Sequence, residues 1–181
     1  MCIRDRLYGV AGAVDYKTLG EAVSSAAGQD WLILAGLMLV IVGLLFKVAA
    51  VPFHAWSPDV YQGAPTPVTG FMAAGVKAAA FLALVRFYYL IAGAMGWDLA
   101  PALWAVAALT MLLGTVVGVV QRDVKRMLAY SAIAHAGFML IGIGAYSKAA
   151  ISALSFYALT YGIATVGAFG IVTLVRSHRD G

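Results

Sequence analysis

Three stretches of this chain, Leu99 to Gln121, Met127 to Ser147 and Ala149 to Val175, each run for more than twenty residues without a charged side chain. About 20 apolar residues carry an α-helix across a ~30 Å hydrocarbon core, where every backbone N–H and C=O must find its partner within the chain. Helices meet that demand locally. Composition points the same way: 63% of the 181 residues are apolar or aromatic, only 11% are charged, and mean hydropathy is +0.92. A water-facing surface needs about twice that charge. The expected fold is all-α, a polytopic transmembrane helix bundle embedded in a lipid bilayer.

Two further spans are expected on either side of a turn at Gln62-Gly63-Ala64-Pro65. One runs from Trp31 to Tyr61 through Lys47, Pro52 and Pro58, and the other from Val60 to Leu90 through Lys77. Proline has no N–H and clashes with the carbonyl four residues back, here Val48, so Pro52 should break its helix just after Lys47. The bundle then contains about five spans, one of them proline-broken.

The net charge of +4 would suit a nucleic-acid surface only if the cations were clustered on a soluble face. They stand between apolar runs instead, so no nucleic-acid partner is expected. Arg122, Lys125 and Arg126, with Arg176 and Arg179 in the tail, are five of the twelve basic residues and set one face as cytoplasmic. Trp31, Tyr88, Tyr89, Trp97, Trp104 and Tyr146 then gather at the outer interface. Arg86, Lys125, Lys148 and Arg176 read as anchors whose stems reach that interface or its cytoplasmic counterpart. The single cysteine, Cys2, excludes an internal disulfide. No histidines or carboxylates stand at metal-ligand spacing and no glycine-rich phosphate loop follows a strand, so neither a metal nor a bound cofactor is expected.

Residues 1–6 are charged and unpatterned, and read as a leader foreign to the rest. Residues 7–30 would hold the end of a preceding helix and an outer loop, 31–176 a membrane domain of about five helices, and 177–181 a cytoplasmic flank. The whole has the look of a fragment of a longer membrane subunit.

Against that background two lysines stand out. Lys47 and Lys77 lie fifteen residues to either side of Gln62, at most roughly 22 Å from the turn, so both should sit near mid-depth on adjacent antiparallel spans. Snorkelling explains Lys77 poorly, since Gly75, Val76, Ala78, Ala79, Ala80 and Phe81 surround it. Freed carbonyls at the break could hold water beside Lys47. His135, nine residues past Arg126, falls about 13 Å into its helix. Lys47, Lys77 and His135 are therefore candidates for a lateral proton relay. Lysine suits such a role because a poorly solvated ammonium can release its proton, whereas arginine stays charged. His54, beside Trp56, reads as a packing residue at the break, and Gly114 with Gly118 forms a small-xxx-small match that lets helices approach.

The stretch from Phe46 to Val68, FKVAAVPFHAWSPDVYQGAPTPV, closely resembles the broken-helix signature of the antiporter-like membrane subunits of respiratory complex I. The form PDVYQGAP is similar to the N-type branch of that family, where M-type and Mrp-type subunits usually read PDAH or a variant. Gly75-Val76-Lys77-Ala78 and the segment from Gln121 to Phe138, QRDVKRMLAYSAIAHAGF, agree with it.

The resemblance implies a partial antiporter-like fold and a subunit of a proton-pumping translocase, NADH:quinone oxidoreductase, in a bacterial inner membrane. Lys47 and Lys77 would correspond to the family's central-axis proton carriers. NADH, flavin (FMN), iron–sulfur clusters and quinone would be held by other subunits, with no redox centre in this chain, and its partners would be the other membrane subunits. The family also uses a glutamate in an earlier helix and a lysine in a later broken helix, and neither position exists here. A Mrp-type cation/proton antiporter or a membrane-bound hydrogenase is the alternative, and a passive scaffold whose lysines bind lipid headgroups is a third.

Overall fold

The computed structural model describes residues 18–21 and 31–179. The expected leader and most of the expected outer loop lie outside the described residues. Those described form helices and short connections, with no strand among them. Helix α1 covers Trp31–Val48 and α2 Trp56–Gly63, with the connection carrying Pro52 between them. After the turn, α3 covers Thr66–Phe71 and passes through a π turn, Met72–Val76, into α4, Lys77–Val119. Helices α5, Val124–Gly144, and α6, Lys148–Arg179, complete the order; α6 continues past Arg176 into the expected flank.

Thr66–Leu90, Leu99–Val119, Val124–Gly144 and Lys148–Arg176 are each long and apolar enough to cross a membrane, and Ala35–Val48 is a shorter apolar helix. Helix α4 is no straight rod. Lys77 meets α5 at Ala132 and Gly114 meets it at Ala134, whereas a straight helix would hold those two α4 residues about 55 Å apart. The helical backbone therefore does not run straight from Lys77 to Gly114; its limbs Lys77–Leu90 and Leu99–Val119 are called α4a and α4b below.

Helix α5 is the centre of the bundle: more than half of its apolar window is buried (56%), against 6% for α6. Glycines bring α4b against it. A Cβ on Gly114 would stand 2.6 Å from the Ala134 nitrogen, and one on Gly137 would stand 2.9 Å from the Ala107 carbonyl. No side chain fits there, so the two backbones touch directly, as expected of small residues at a membrane helix crossing. Phe81, Leu84, Phe87, Leu103, Ala107, Leu140 and Ile143 fill the core around this crossing. Outward, Phe71, Phe156 and Leu174 are more than two-thirds or about two-thirds exposed, a surface suited to hydrocarbon.

At the end of the bundle assigned to the outer interface, the Tyr89 and Tyr146 rings pack 4.7 Å apart, and the Tyr89 hydroxyl donates to the Ser147 carbonyl at 3.2 Å. Amphipathic rings with apolar bodies and a bonded polar tip are typical of that depth. The side chains of Trp31 and Trp97 lie outside the described residues.

Candidate functional site

The break follows Lys47 closely. Helix α1 ends at Val48, and Ala49 takes the left-handed conformation, φ 60°. The Ala50 N–H donates to the Leu45 carbonyl at 3.0 Å and the Ala49 N–H to the Phe46 carbonyl at 3.1 Å. These are the paired bonds of a Schellman ending, which usually places glycine where Ala49 stands. Val48, Ala49 and Ala50 are all buried, so the chain changes direction inside the bundle rather than at its edge.

A broken helix leaves backbone groups that lipid cannot solvate. Two side chains meet part of that demand. Thr110, fully buried on α4b, accepts the Val51 N–H through Oγ1 at 3.0 Å and donates to its own helix at the Val106 carbonyl, 2.6 Å. Trp56, the first residue of α2, donates its indole Nε1–H to the Phe46 carbonyl at 2.9 Å and stacks on the Phe46 ring at 5.6 Å. The two halves of the broken helix are thus fastened across the gap on either side of Lys47. His54 lies in the same connection with a buried Nδ1 that has no partner among the described residues.

The far end of α2 is held by α5. Lys125 was expected to be an interfacial anchor, but its side chain turns inward: the residue is 9% exposed, and Nζ donates to the carbonyls of Gln62 at 2.9 Å and Ala64 at 2.6 Å. An ammonium is favoured there because the carbonyl end of a helix carries partial negative charge. Arg126 donates to Asp59 at 2.7 Å and to the Gln62 side chain at 3.0 Å. Asp123 caps α5 by accepting the Arg126 N–H at 2.9 Å.

Lys77 follows the π turn directly and is 4% exposed. Its ammonium donates to the Ala132 carbonyl of α5 at 2.6 Å, and no carboxylate pairs with it among the described residues. Three donors with one protein acceptor leave a buried cation poorly compensated. One helical turn along, half-buried His135 hydrogen-bonds through Nδ1 with the Tyr157 hydroxyl of α6, and its ring stands 4.5 Å from that of Tyr161. Ser131, His135, Tyr157, Thr160, Tyr161 and Thr165 line a cleft of about 400 Å³ between α5 and α6.

Depth follows from the helix contacts. Thr110 lies between Ala107 and Met111, both of which meet Gly137, so the break stands level with that part of α5. Lys77 is level with Ala132 and His135 lies between. The break, Lys77 and His135 therefore fall within roughly five residues of α5, about 8 Å. Lys77 and His135 are brought together. Lys47 stands beside the break with an exposed side chain and shares no acceptor with Lys77. Thr110 and the α6 tyrosines were not singled out from the sequence, and Lys125 was read only as an anchor, although Tyr157, Tyr161 and Thr165 recur every four residues on an apolar helix and form one polar stripe.

Comparison with known proteins places this geometry. The family described as "NADH:quinone oxidoreductase/Mrp antiporter, TM" matches residues 4–181. NADH-quinone oxidoreductase subunit N of Beutenbergia cavernae is 59% identical over 174 residues, covering 96% of this chain and 33% of the relative. The subunit N of Mycobacteroides abscessus is 54% identical over 94% of this chain and 32% of its own length. The chain thus spans about a third of these curated relatives. Among solved structures, respiratory complex I from Thermus thermophilus with bound aureothin matches with a TM-score of 0.71 and 41% identity over 94% of this chain and 35% of the matched chain. An archaeal membrane-bound sulfane sulfur reductase matches at 0.86 with 30% identity, covering 96% and 35%. The Mrp complex from Dietzia matches at 0.81 with 25%, covering 92% and 30%. A broken helix after one lysine, a second lysine buried against the central helix, and a match along nearly the whole sequence agree: this chain is a multi-pass membrane protein and belongs to the NADH:quinone oxidoreductase/Mrp antiporter transmembrane family.

Proposed function

We propose that this chain is the proton-carrying part of an N-type membrane subunit of NADH:quinone oxidoreductase, working among the other membrane subunits of that complex in a bacterial inner membrane. Electron transfer from NADH to quinone would take place elsewhere in the complex, and this segment would move protons in response. The observation that carries the reading is Lys77, a cation buried inside a span with one carbonyl acceptor and a histidine one turn away. Membrane interiors make such a residue costly, and its retention there argues for use.

The chemistry is a proton hand-over. Loss of a proton from the Lys77 ammonium leaves a neutral amine, and its arrival on a neutral imidazole leaves His135 positive. Tyr157 holds the His135 ring in place, and its hydroxyl can pass a proton by exchanging donor and acceptor roles. Lys47, on the break, would be the exchange partner on the other side. A lysine that served only to bind lipid headgroups would extend to the interface, and the burial of Lys77 argues against that role.

The fold is shared with Mrp-type and sulfur-reducing complexes, whose TM-scores of 0.81 and 0.86 exceed the 0.71 of complex I. Sequence favours complex I, at 41% identity against 30% and 25%. Replacing Lys77 by Ala in the intact complex tests the reading. Normal assembly with proton pumping lost supports it, and normal assembly with pumping unchanged overturns it.

A further inference from the structure

We infer that Thr110 is a positioning residue for the Lys47 site: by accepting the Val51 N–H it holds the end of α1 at Val48 and leaves the Lys47 backbone carbonyl without its helical partner. The inference rests on the proton-carrying reading of Lys47 and adds to it a residue on a different helix.

The argument begins with the bond that is missing. In an α-helix each N–H donates to the carbonyl four residues back, so a continued α1 would pair the Val51 N–H with the Lys47 carbonyl. Val51 is the last residue able to make such a bond, because Pro52 has no N–H. In this structure the Val51 N–H goes to Thr110 Oγ1 at 3.0 Å instead. Without that acceptor, a buried N–H in a low-dielectric interior must find another, and the Lys47 carbonyl is the one the helix itself offers. Taking it would also return Ala49 from its left-handed conformation to the ordinary helical one, which an alanine prefers. Pro52 requires a break in this stretch, and Thr110 fixes it before the bond that the Val51 N–H could still add.

Thr110 is well placed to do so. It is fully buried and its hydroxyl proton is already committed to the Val106 carbonyl at 2.6 Å, so the oxygen presents its lone pairs to the break. Helix α4b that carries it is fixed against α5 by direct backbone contact at Gly114. The same helix, α5, supplies the acceptor of Lys77. Lys47 and Lys77 are therefore referenced to one rigid pair of helices.

The test uses the intact complex bearing Thr110→Val, which keeps the shape and removes the hydroxyl, and Thr110→Ser, which restores it. Proton translocation per assembled complex is expected to fall about tenfold in the valine variant, the scale of one unmet buried hydrogen bond, and to stay near wild type in the serine variant. A merely structural role would lower the amount of assembled complex and leave protons moved per electron unchanged. Ala49→Gly added to Thr110→Val provides a second reading, since glycine holds the left-handed conformation without help; it is expected to restore translocation, or assembly if the valine variant fails to assemble. Wild-type translocation in the valine variant, or no restoration by the glycine, overturns the inference. Failure of the proton-carrying reading itself is distinguished by Lys77→Ala, which would then pump normally.

Discussion

Lys77 donates to the main-chain carbonyl of Ala132 at 2.6 Å, and His135 begins the next turn of the same helix. A cation on one span is thereby seated against the helix that carries the neighbouring titratable group. The arrangement depends on the packing of α4 on α5 more than on either side chain. The predictions follow that dependence outward from the site.

Tyr157→Phe removes the hydroxyl bonded to His135 Nδ1 while keeping the ring. The histidine loses its orientation but remains in the cleft, so proton translocation should fall by less than in His135→Ala. Steady-state pumping in membrane vesicles compares the two, and an equal or larger loss in the phenylalanine variant would contradict the positioning role of Tyr157.

Gly114→Val places side-chain atoms where the Ala134 backbone already stands, 2.6 Å from the added Cβ. Overpacking of this kind costs about 1–3 kcal/mol, and here the obstacle is backbone, which yields little. A lowered midpoint for thermal dissociation of the complex is the expected result. Gly167, with nothing within 4 Å of its would-be Cβ, serves as the control, and its alanine variant should leave the midpoint unchanged.

Ala49 carries a left-handed backbone, φ 60°. Glycine there removes a steric cost of roughly 1 kcal/mol and gives part of it back in backbone freedom, so Ala49→Gly should be neutral or slightly stabilising. Ala49→Val should destabilise by about 1 kcal/mol or more, because a β-branched residue tolerates that conformation worst. Thermal dissociation of the three proteins gives the order, and a valine variant as stable as the glycine one would contradict the Schellman ending.

Lys125 and Arg126 are adjacent cations with different surroundings. Lys125→Met strips two backbone carbonyls of a charged donor and should cost about 2 kcal/mol or more. Arg126→Ala breaks an ion pair whose aspartate is 71% exposed, so its effect should be clearly smaller. The comparison is of assembled complex recovered after mild heating.

How much of this was legible beforehand depends on the range of the interaction. The break after Lys47 was readable because Pro52 acts on a carbonyl only four residues away. The turn at Gln62 to Pro65 was readable for the same local reason. Thr110 was not, since a threonine in an apolar span resembles any other until the fold brings Val51, 59 positions away, to its hydroxyl. Lys125 was misjudged because its acceptors, Gln62 and Ala64, belong to a distant helix end. The π turn before Lys77 carries no signature beyond a run of small residues. The tyrosine stripe on α6 was legible at a spacing of four but was not singled out. The Gly114 and Gly118 match gave the right contact, although in so glycine-rich a chain the spacing alone could not single it out.

The central claim is that Lys77 acts by giving up and regaining a proton, rather than by supplying a fixed charge. Lys77→Arg separates the two, because guanidinium stays protonated. The most direct measurement is the number of protons moved per electron by the assembled arginine variant in sealed vesicles. The account predicts that this number falls while the complex assembles; a wild-type number from the arginine variant would contradict it.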